Sequence, residues 1–234
     1  MSDSHTLQAL SEPGYCLMKP DEIGRRLGVD GRQWAEFDLH WDELAPDPYV
    51  QEAGMRRLRR YGHFGRKPTG ELTVRSHDGF LQPEDSNPLY IGQERHFEPL
   101  TDAFAQDPLL AALLDLLAEA ASVLADPPEW TVKVHPFRVV ATSGQAGQPT
   151  PEGVHRDGVT LVSSLLVARG NADGGESTVY DLDGAPILST VLEEPGTLLL
   201  GDDRRTLHGV SPVTPRDPAR PAHRDVLVIT FADR

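Results

Sequence analysis

Residues 130–142 read Trp-Thr-Val-Lys-Val-His-Pro-Phe-Arg-Val-Val-Ala-Thr, and residues 160–168 read Thr-Leu-Val-Ser-Ser-Leu-Leu-Val-Ala. Both stretches alternate or run apolar over strand-like lengths and are flanked by Gly, Pro, Asp or Asn. Further short apolar segments follow at Ser177–Tyr180, Ile187–Leu192, Thr197–Leu200 and Asp225–Phe231, divided by turn formers. Many short strands with a turn every few residues predict an antiparallel sandwich or barrel for the C-terminal half.

Upstream the pattern changes. Asp107 can cap a helix and Pro108 suits its first turn. Leu109, Leu110, Leu113, Leu114, Leu116, Leu117 and Leu124 then form a broad apolar face, and Asp126-Pro127-Pro128 ends it. Such a face is expected to pack on a sheet. Earlier still, the pattern predicts a strand at Tyr15–Lys19 and a short helix at Asp21–Leu27. It predicts a second helix at Tyr49–Tyr61, where Met55, Leu58 and several arginines recur at helical spacing. Short strands are expected at Glu71–Arg75 and Leu89–Gly92. The fold class is therefore mainly β with flanking helices. No linker-like stretch divides the chain, so residues 1–234 are expected to form a single domain. About 1–128 would serve as mixed support and pocket wall, and about 129–234 as the β core.

Composition narrows the partners. The 234 residues are 38% hydrophobic, enough for a core, and 21 Gly and 20 Pro favour turns. The formal net charge of −14 is the wrong sign for a free-standing nucleic-acid binder or for an anionic membrane surface. A small-molecule substrate suits it. A single cysteine, Cys16, excludes an internal disulfide and a Cys-rich zinc site, and its apolar neighbours make it a small buried hydrophobe. The first residues carry neither a basic nor an apolar leader region, and Asp115 and Glu119 interrupt the apolar run Leu109–Ala125. The expected location is the cytoplasm.

The chemistry concentrates at Gly153-Val154-His155-Arg156-Asp157-Gly158. If a strand begins here, His155 and Asp157 share a face, and an imidazole and a carboxylate can take adjacent coordination positions. Arg204-Arg205-Thr206-Leu207-His208-Gly209 supplies a second imidazole. Two His and one carboxylate leave three positions open, as an oxygen-activating Fe(II) requires. Alone, His-x-Asp is a common pattern, and His5, His40, His63, His77, His96 and His223 are read as surface or core residues. Arg224 opens the last apolar strand, where a guanidinium can hold a carboxylate bidentately. Arg216 and Arg220 are rival anchors in a Pro-rich loop.

The blocks PTPEGVHRDG (149–158), GGESTVYD (174–181), LLGDDRRTLHGVSPV (199–213) and RDVLVITF (224–231) together resemble the bacterial 2-oxoglutarate/Fe(II) dioxygenases that hydroxylate free L-amino acids, typified by the isoleucine dioxygenases. The resemblance covers roughly the last hundred residues. It implies a double-stranded β-helix (jelly-roll) core, with Fe(II), 2-oxoglutarate and O₂ as cofactors. It implies iron ligands at His155, Asp157 and His208, and a 2-oxoglutarate anchor at Arg224. The product would be a hydroxy-amino acid, with succinate and CO₂. Glu152, Arg156, Glu176 and Arg204 lie in the matching blocks. For a zwitterionic substrate, Arg138 or Arg156 could hold the carboxylate, with alternation favouring Arg138, and Glu152 or Glu176 could accept from the ammonium. The Asp202-Asp203/Arg204-Arg205 run is read as a structural ion-pair turn.

Other readings weaken against the residues. His155-Arg156-Asp157 imitates a kinase catalytic loop, but Val162 stands where that loop needs Asn. No His-Glu-x-x-His helix supports a zinc hydrolase. A cupin-like metal- or ligand-binding protein, and a dioxygenase acting on a modified or carrier-bound amino acid, remain the alternatives. A halogenase of similar fold would lack the carboxylate that Asp157 provides.

Overall fold

The computed structural model describes residues 7–51, 55–75 and 95–233. The expected strand at Leu89–Gly92 lies outside the described residues, as do His5 and His77.

Strands β1 (Tyr15–Met18), β2 (Ala45–Pro46), β3 (Arg56–Arg59), β4 (Gly62–Arg66) and β5 (Leu72–Val74) come from the first part of the chain. Between them lie helices α1 (Pro20–Leu27), α2 (Gly31–Asp38) and α3 (Pro48–Gln51), and then α4 (Asp102–Ala105) and α5 (Pro108–Ser122) follow. The remainder is β: β6 (Trp130–Ala141), β7 (Leu161–Gly170), β8 (Ala172–Gly174), β9 (Glu176–Tyr180), β10 (Pro186–Val191), β11 (Leu198–Asp202), β12 (Leu207–Val210), β13 (Val213–Pro215) and β14 (Ala222–Ala232). The pairings among these named strands are all antiparallel. The large sheet runs β1-β11-β7-β14-β6-β3-β2, with β4 also on β6 and β5 on β4. A smaller sheet, β10-β9-β12, and the pair β13-β8 complete the jelly-roll.

The two faces of the large sheet divide by alternation. Val132 and Val134 of β6, Leu161 and Leu165 of β7, and Leu227, Ile229 and Phe231 of β14 face the helices. There they join Ile23 of α1 and the buried face of α5, from Leu109 to Ala121, in one apolar cluster. Asp107 caps α5 by accepting the Leu109 N–H at 2.7 Å, with Pro108 in the first turn. The opposite positions, Lys133, His135, Phe137 and Val139 of β6 and Arg224, Val226, Val228 and Thr230 of β14, line a cavity between the sheets. None of the helices is long and apolar enough to cross a membrane, among the described residues.

The helix expected at Tyr49–Tyr61 is corrected. Among the described residues of that span, only those up to Gln51 are helical (Pro48–Gln51), and Arg56–Arg59 is strand β3, paired with β2 and β6. Its inward positions are Arg57 and Arg59, both buried. A strand whose buried face carries charge shows no apolar alternation, so the arginines imitate a helix surface.

Candidate active site

His155 and Asp157 lie in the loop that enters β7, and His208 lies on β12. Strand β7 begins only at Leu161, so the expected i, i+2 strand does not bring the first two together. A backbone bridge joins His155 to His208 instead: the His155 N–H donates to the His208 carbonyl and the reverse bond returns, both at 2.9 Å. One ligand atom from each of His155, Asp157 and His208 falls within 4.8 Å of the others. His155 Nε2 is 3.9 Å from Asp157 Oδ1, and His208 Nε2 is 3.5 Å from Asp157 Oδ2. With its proton on Nδ1, His155 donates to the Gly153 carbonyl at 3.1 Å, which turns Nε2 toward Asp157.

Asp203, fully buried just beyond β11, supports the loop. Its Oδ1 accepts the Asp157 N–H at 3.1 Å and its Oδ2 accepts the Val159 N–H at 3.0 Å. Burial first, and then the charge of Asp157, push the Asp203 carboxyl up to about 6. Burial and neighbouring His155 push the His208 imidazole down to about 4, against the pull of Asp157. His208 is thus neutral at neutral pH, the state in which an imidazole ligates a metal.

The same cavity holds Arg224, 1% exposed, whose Nε and Nη2 have no hydrogen-bond partner among the described residues. Burial, then the nearby charge of Arg169, lower this guanidinium to about 10. Gly175, at φ +71°, makes room for it: a Cβ there would sit 3.2 Å from Arg224 Cδ. An unpaired buried guanidinium is costly unless an anion completes it. Arg216 and Arg220 instead face solvent and pair with Asp173 and Asp217, each at 3.0 Å.

Of the other residues singled out from sequence, Glu152 joins the site. It lines the cavity, and its Oε1 is 3.3 Å from His155 Nε2. Arg138 is corrected: it lies on the helix-covered face of β6, directly opposite Asp225 of β14. Its guanidinium grips that buried carboxylate at 2.7–3.1 Å and reaches Asp42 at 3.2 Å, so it is committed away from the cavity. Arg156 is not among the lining residues. Glu176 is exposed, while its neighbours Ser177 and Val179 face inward. Arg204 binds Asp202 through Nε at 2.9 Å, but Asp203 holds the loop of His155 and Asp157 rather than Arg205. Asp203 was read from sequence as part of a structural turn, not as the support of this loop, and the wall of Arg57, Arg59 and His135 was not foreseen. The available signal there was arginine at every second position, Arg57 and Arg59.

A model of the family described as 2OG-Fe dioxygenase matches residues 38–230. The chain belongs to that family. Among relatives, the 3(1)-hydroxy-L-isoleucine 4-dioxygenase of Pantoea ananatis (strain AJ13355) is 29% identical over 204 residues, 84% of this chain and 79% of its own. A bsmA homolog from Methylobium petroleophilum PM1 superposes with a TM-score of 0.90 at 37% identity, covering 99% of this chain and 93% of its own. IDO from Bacillus thuringiensis shares the fold, with a TM-score of 0.81 at 18% identity over 99% of this chain and 96% of that one.

As a 2OG-Fe dioxygenase, the protein is a non-haem enzyme that uses Fe(II), 2-oxoglutarate and O₂. The residues present fit these groups. Two imidazoles and one carboxylate suit a ferrous ion with open positions, and the orphaned Nε and Nη2 of Arg224 suit a carboxylate.

Proposed function

We propose that this dioxygenase hydroxylates a C–H bond of a free L-amino acid, giving the hydroxy-amino acid with succinate and CO₂. In this reading His155, Asp157 and His208 hold the iron, Arg224 holds the distal carboxylate of 2-oxoglutarate, and Glu152 accepts from the substrate ammonium. The observation that carries it is the convergence of three donor atoms and an unpaired buried guanidinium on one cavity. The relative named for 3(1)-hydroxy-L-isoleucine supports the substrate class. The cavity, about 170 Å³, is on the scale of small molecules.

Bound together, iron and 2-oxoglutarate supply the activation of O₂ and the oxidation of an unreactive C–H bond. The chain supplies position. Arg224 fixes one end of the co-substrate and its direction. Val162, Val179, Leu199, Val226 and Val228 give the cavity apolar walls that exclude water from the reacting centre. Glu152, three residues before His155, would hold the ammonium next to the metal and so set which carbon lies nearest.

The test is a mass-spectrometric screen of the free L-amino acids for a gain of one oxygen, with succinate measured in the same reactions. Oxygen gain by one or a few, matched by succinate, is expected. If none gains oxygen while an N-acylated or carrier-bound amino acid does, the free-amino-acid assignment is wrong.

A further inference from the structure

Arg57 and Arg59 face the cavity from β3, with Asp47 as the buried acid beside them among the described residues. Asp47 does not serve them equally. Its Oδ2 takes Nε and Nη2 of Arg57 at 2.9 and 2.8 Å, but lies 3.8 Å from Nη1 of Arg59. Its Oδ1 is committed to the Tyr49 N–H at 3.1 Å. Among the described residues, one carboxylate thus faces two guanidiniums, and the excess positive charge falls on Arg59.

Arg59 is held as a binding group would be. It is 4% exposed, its Nε has no hydrogen-bond partner among the described residues, and its guanidinium lies 3.5 Å from the Phe97 ring centre and 4.6 Å from that of Phe137. Cation–π contacts on both rings fix the plane of the fork. Nη2 donates to His135 Nδ1 at 2.7 Å, so His135 is neutral and offsets none of the charge. Burial, then the charges of Arg59 and its cationic neighbours, keep that imidazole well below its ordinary range. Arg95 adds positive potential to the same wall.

This wall is separate from the 2-oxoglutarate end. Arg57 pairs with Val139, which pairs on its other side with Arg224; Arg59 pairs with Phe137, one row further on. The strand spacing puts Arg59 and Arg224 on the order of 10 Å apart along the sheet. Two guanidiniums with unpaired atoms therefore face one cavity at different stations.

We propose that Arg59, backed by His135 and clasped by Phe97 and Phe137, is the anchor for a free carboxylate on the substrate. Substrates whose carboxyl group is amidated, esterified or tethered to a carrier are refused. This rests on reading the cavity as the substrate site of an amino-acid hydroxylase. It goes further by naming the group that must be free and the residue that reads it.

The test is calorimetric titration of the protein loaded with Fe(II) and 2-oxoglutarate under nitrogen. The probes are the proteinogenic L-amino acids, their carboxamides and simple aliphatic carboxylates. The tightest-binding acid is expected to lose roughly 10- to 100-fold in affinity as its carboxamide, the loss expected when hydrogen bonds to a charged partner are removed. Arg59→Gln is expected to cost the acid a similar factor and the carboxamide almost nothing, with Arg59→Lys intermediate. The affinity for 2-oxoglutarate should hold in both variants. The acid–amide comparison on the unaltered protein does not depend on how the variants fold. A carboxamide that binds as well as its acid, an acid that binds Arg59→Gln undiminished, or no binding by any carboxylate would each overturn the proposal. The two readings fail separately. Carboxylate binding that Arg59→Gln abolishes, with no amino acid oxidised, removes the amino-acid reading alone. An amino acid oxidised with an unchanged KM in Arg59→Gln removes this one alone.

Discussion

The carboxylate of Asp203 lies 3.8 Å from Nδ1 of His208 while its two oxygens hold the N–H groups of Asp157 and Val159. One buried side chain therefore stands behind two of the three candidate ligands and couples the loop before β7 to β12. Asp203→Ala leaves those two N–H groups without their acceptor, at about 1–3 kcal/mol each where water cannot replace it. Iron affinity should fall roughly 10- to 100-fold, the usual cost of losing a group that orients metal ligands. An anaerobic Fe(II) titration checks this. Wild-type affinity in Asp203→Ala would show that the loop holds its shape unaided.

Among the described residues, no second group of donor atoms takes the arrangement of His155, Asp157 and His208. Replacing His155, Asp157 or His208 with Ala should abolish succinate formation and weaken Fe(II) binding, since each change removes one of three protein donors. Glu152 Oε1 lies 3.3 Å from His155 Nε2 but is not one of these three donors. Near-normal turnover in any of the three variants would refute the assignment.

Arg224→Ala should raise the KM for 2-oxoglutarate far more than that for the substrate. A desolvated, charge-assisted pair is worth roughly 2–3 kcal/mol, or about 30- to 150-fold. Arg220→Ala should change neither, because Arg220 is exposed and engaged with Asp217. A 2-oxoglutarate defect in Arg220→Ala instead would move the anchor into the Pro-rich loop.

Much of this was legible in the sequence, for reasons that differ by residue. Helix α5 declared itself because its cap, its proline and its leucine spacing agree. Strands β6, β7 and β14 showed because apolar positions recur along them. His155, Asp157 and His208 were visible as motif residues. The way they meet was not visible, because it depends on a backbone bridge and on Asp203 rather than on a shared strand. Strand β3 was hidden because its buried positions are arginines, whose cost is met only in part by Asp47, Phe97 and Phe137 and not by burial of apolar surface. The parity of β6 was also beyond local reading. Phe137, Arg138 and Val139 follow one another, and only the partners across the sheet decide which of them face the cavity.

Arg138 offers the sharpest test of that parity. Its partner Asp225 is 0% exposed, and burial raises the Asp225 carboxyl above its ordinary range even against the bonds from Arg138. Removing Arg138 leaves a buried acid without its cation. Because the Arg138 side chain is 21% exposed, the lower end of the usual cost applies, about 3 kcal/mol. For a chain of this length that corresponds to a fall in Tm of roughly 6–12 °C at neutral pH. The loss should depend on pH with a definite sign. In Arg138→Ala the folded-state pKa of Asp225 lies further above its unfolded value of about 3.9, so the charged acid destabilises the fold as pH rises through that window. Below it, Asp225 is protonated in both states and the penalty vanishes. The Tm gap between wild type and Arg138→Ala should therefore be widest near pH 7 and close as pH falls toward 4, with the KM for the substrate little changed throughout. Melting curves across that range, with substrate kinetics at neutral pH, decide it. A stable Arg138→Ala protein with a large substrate KM defect would return Arg138 to the cavity and reverse the parity of β6.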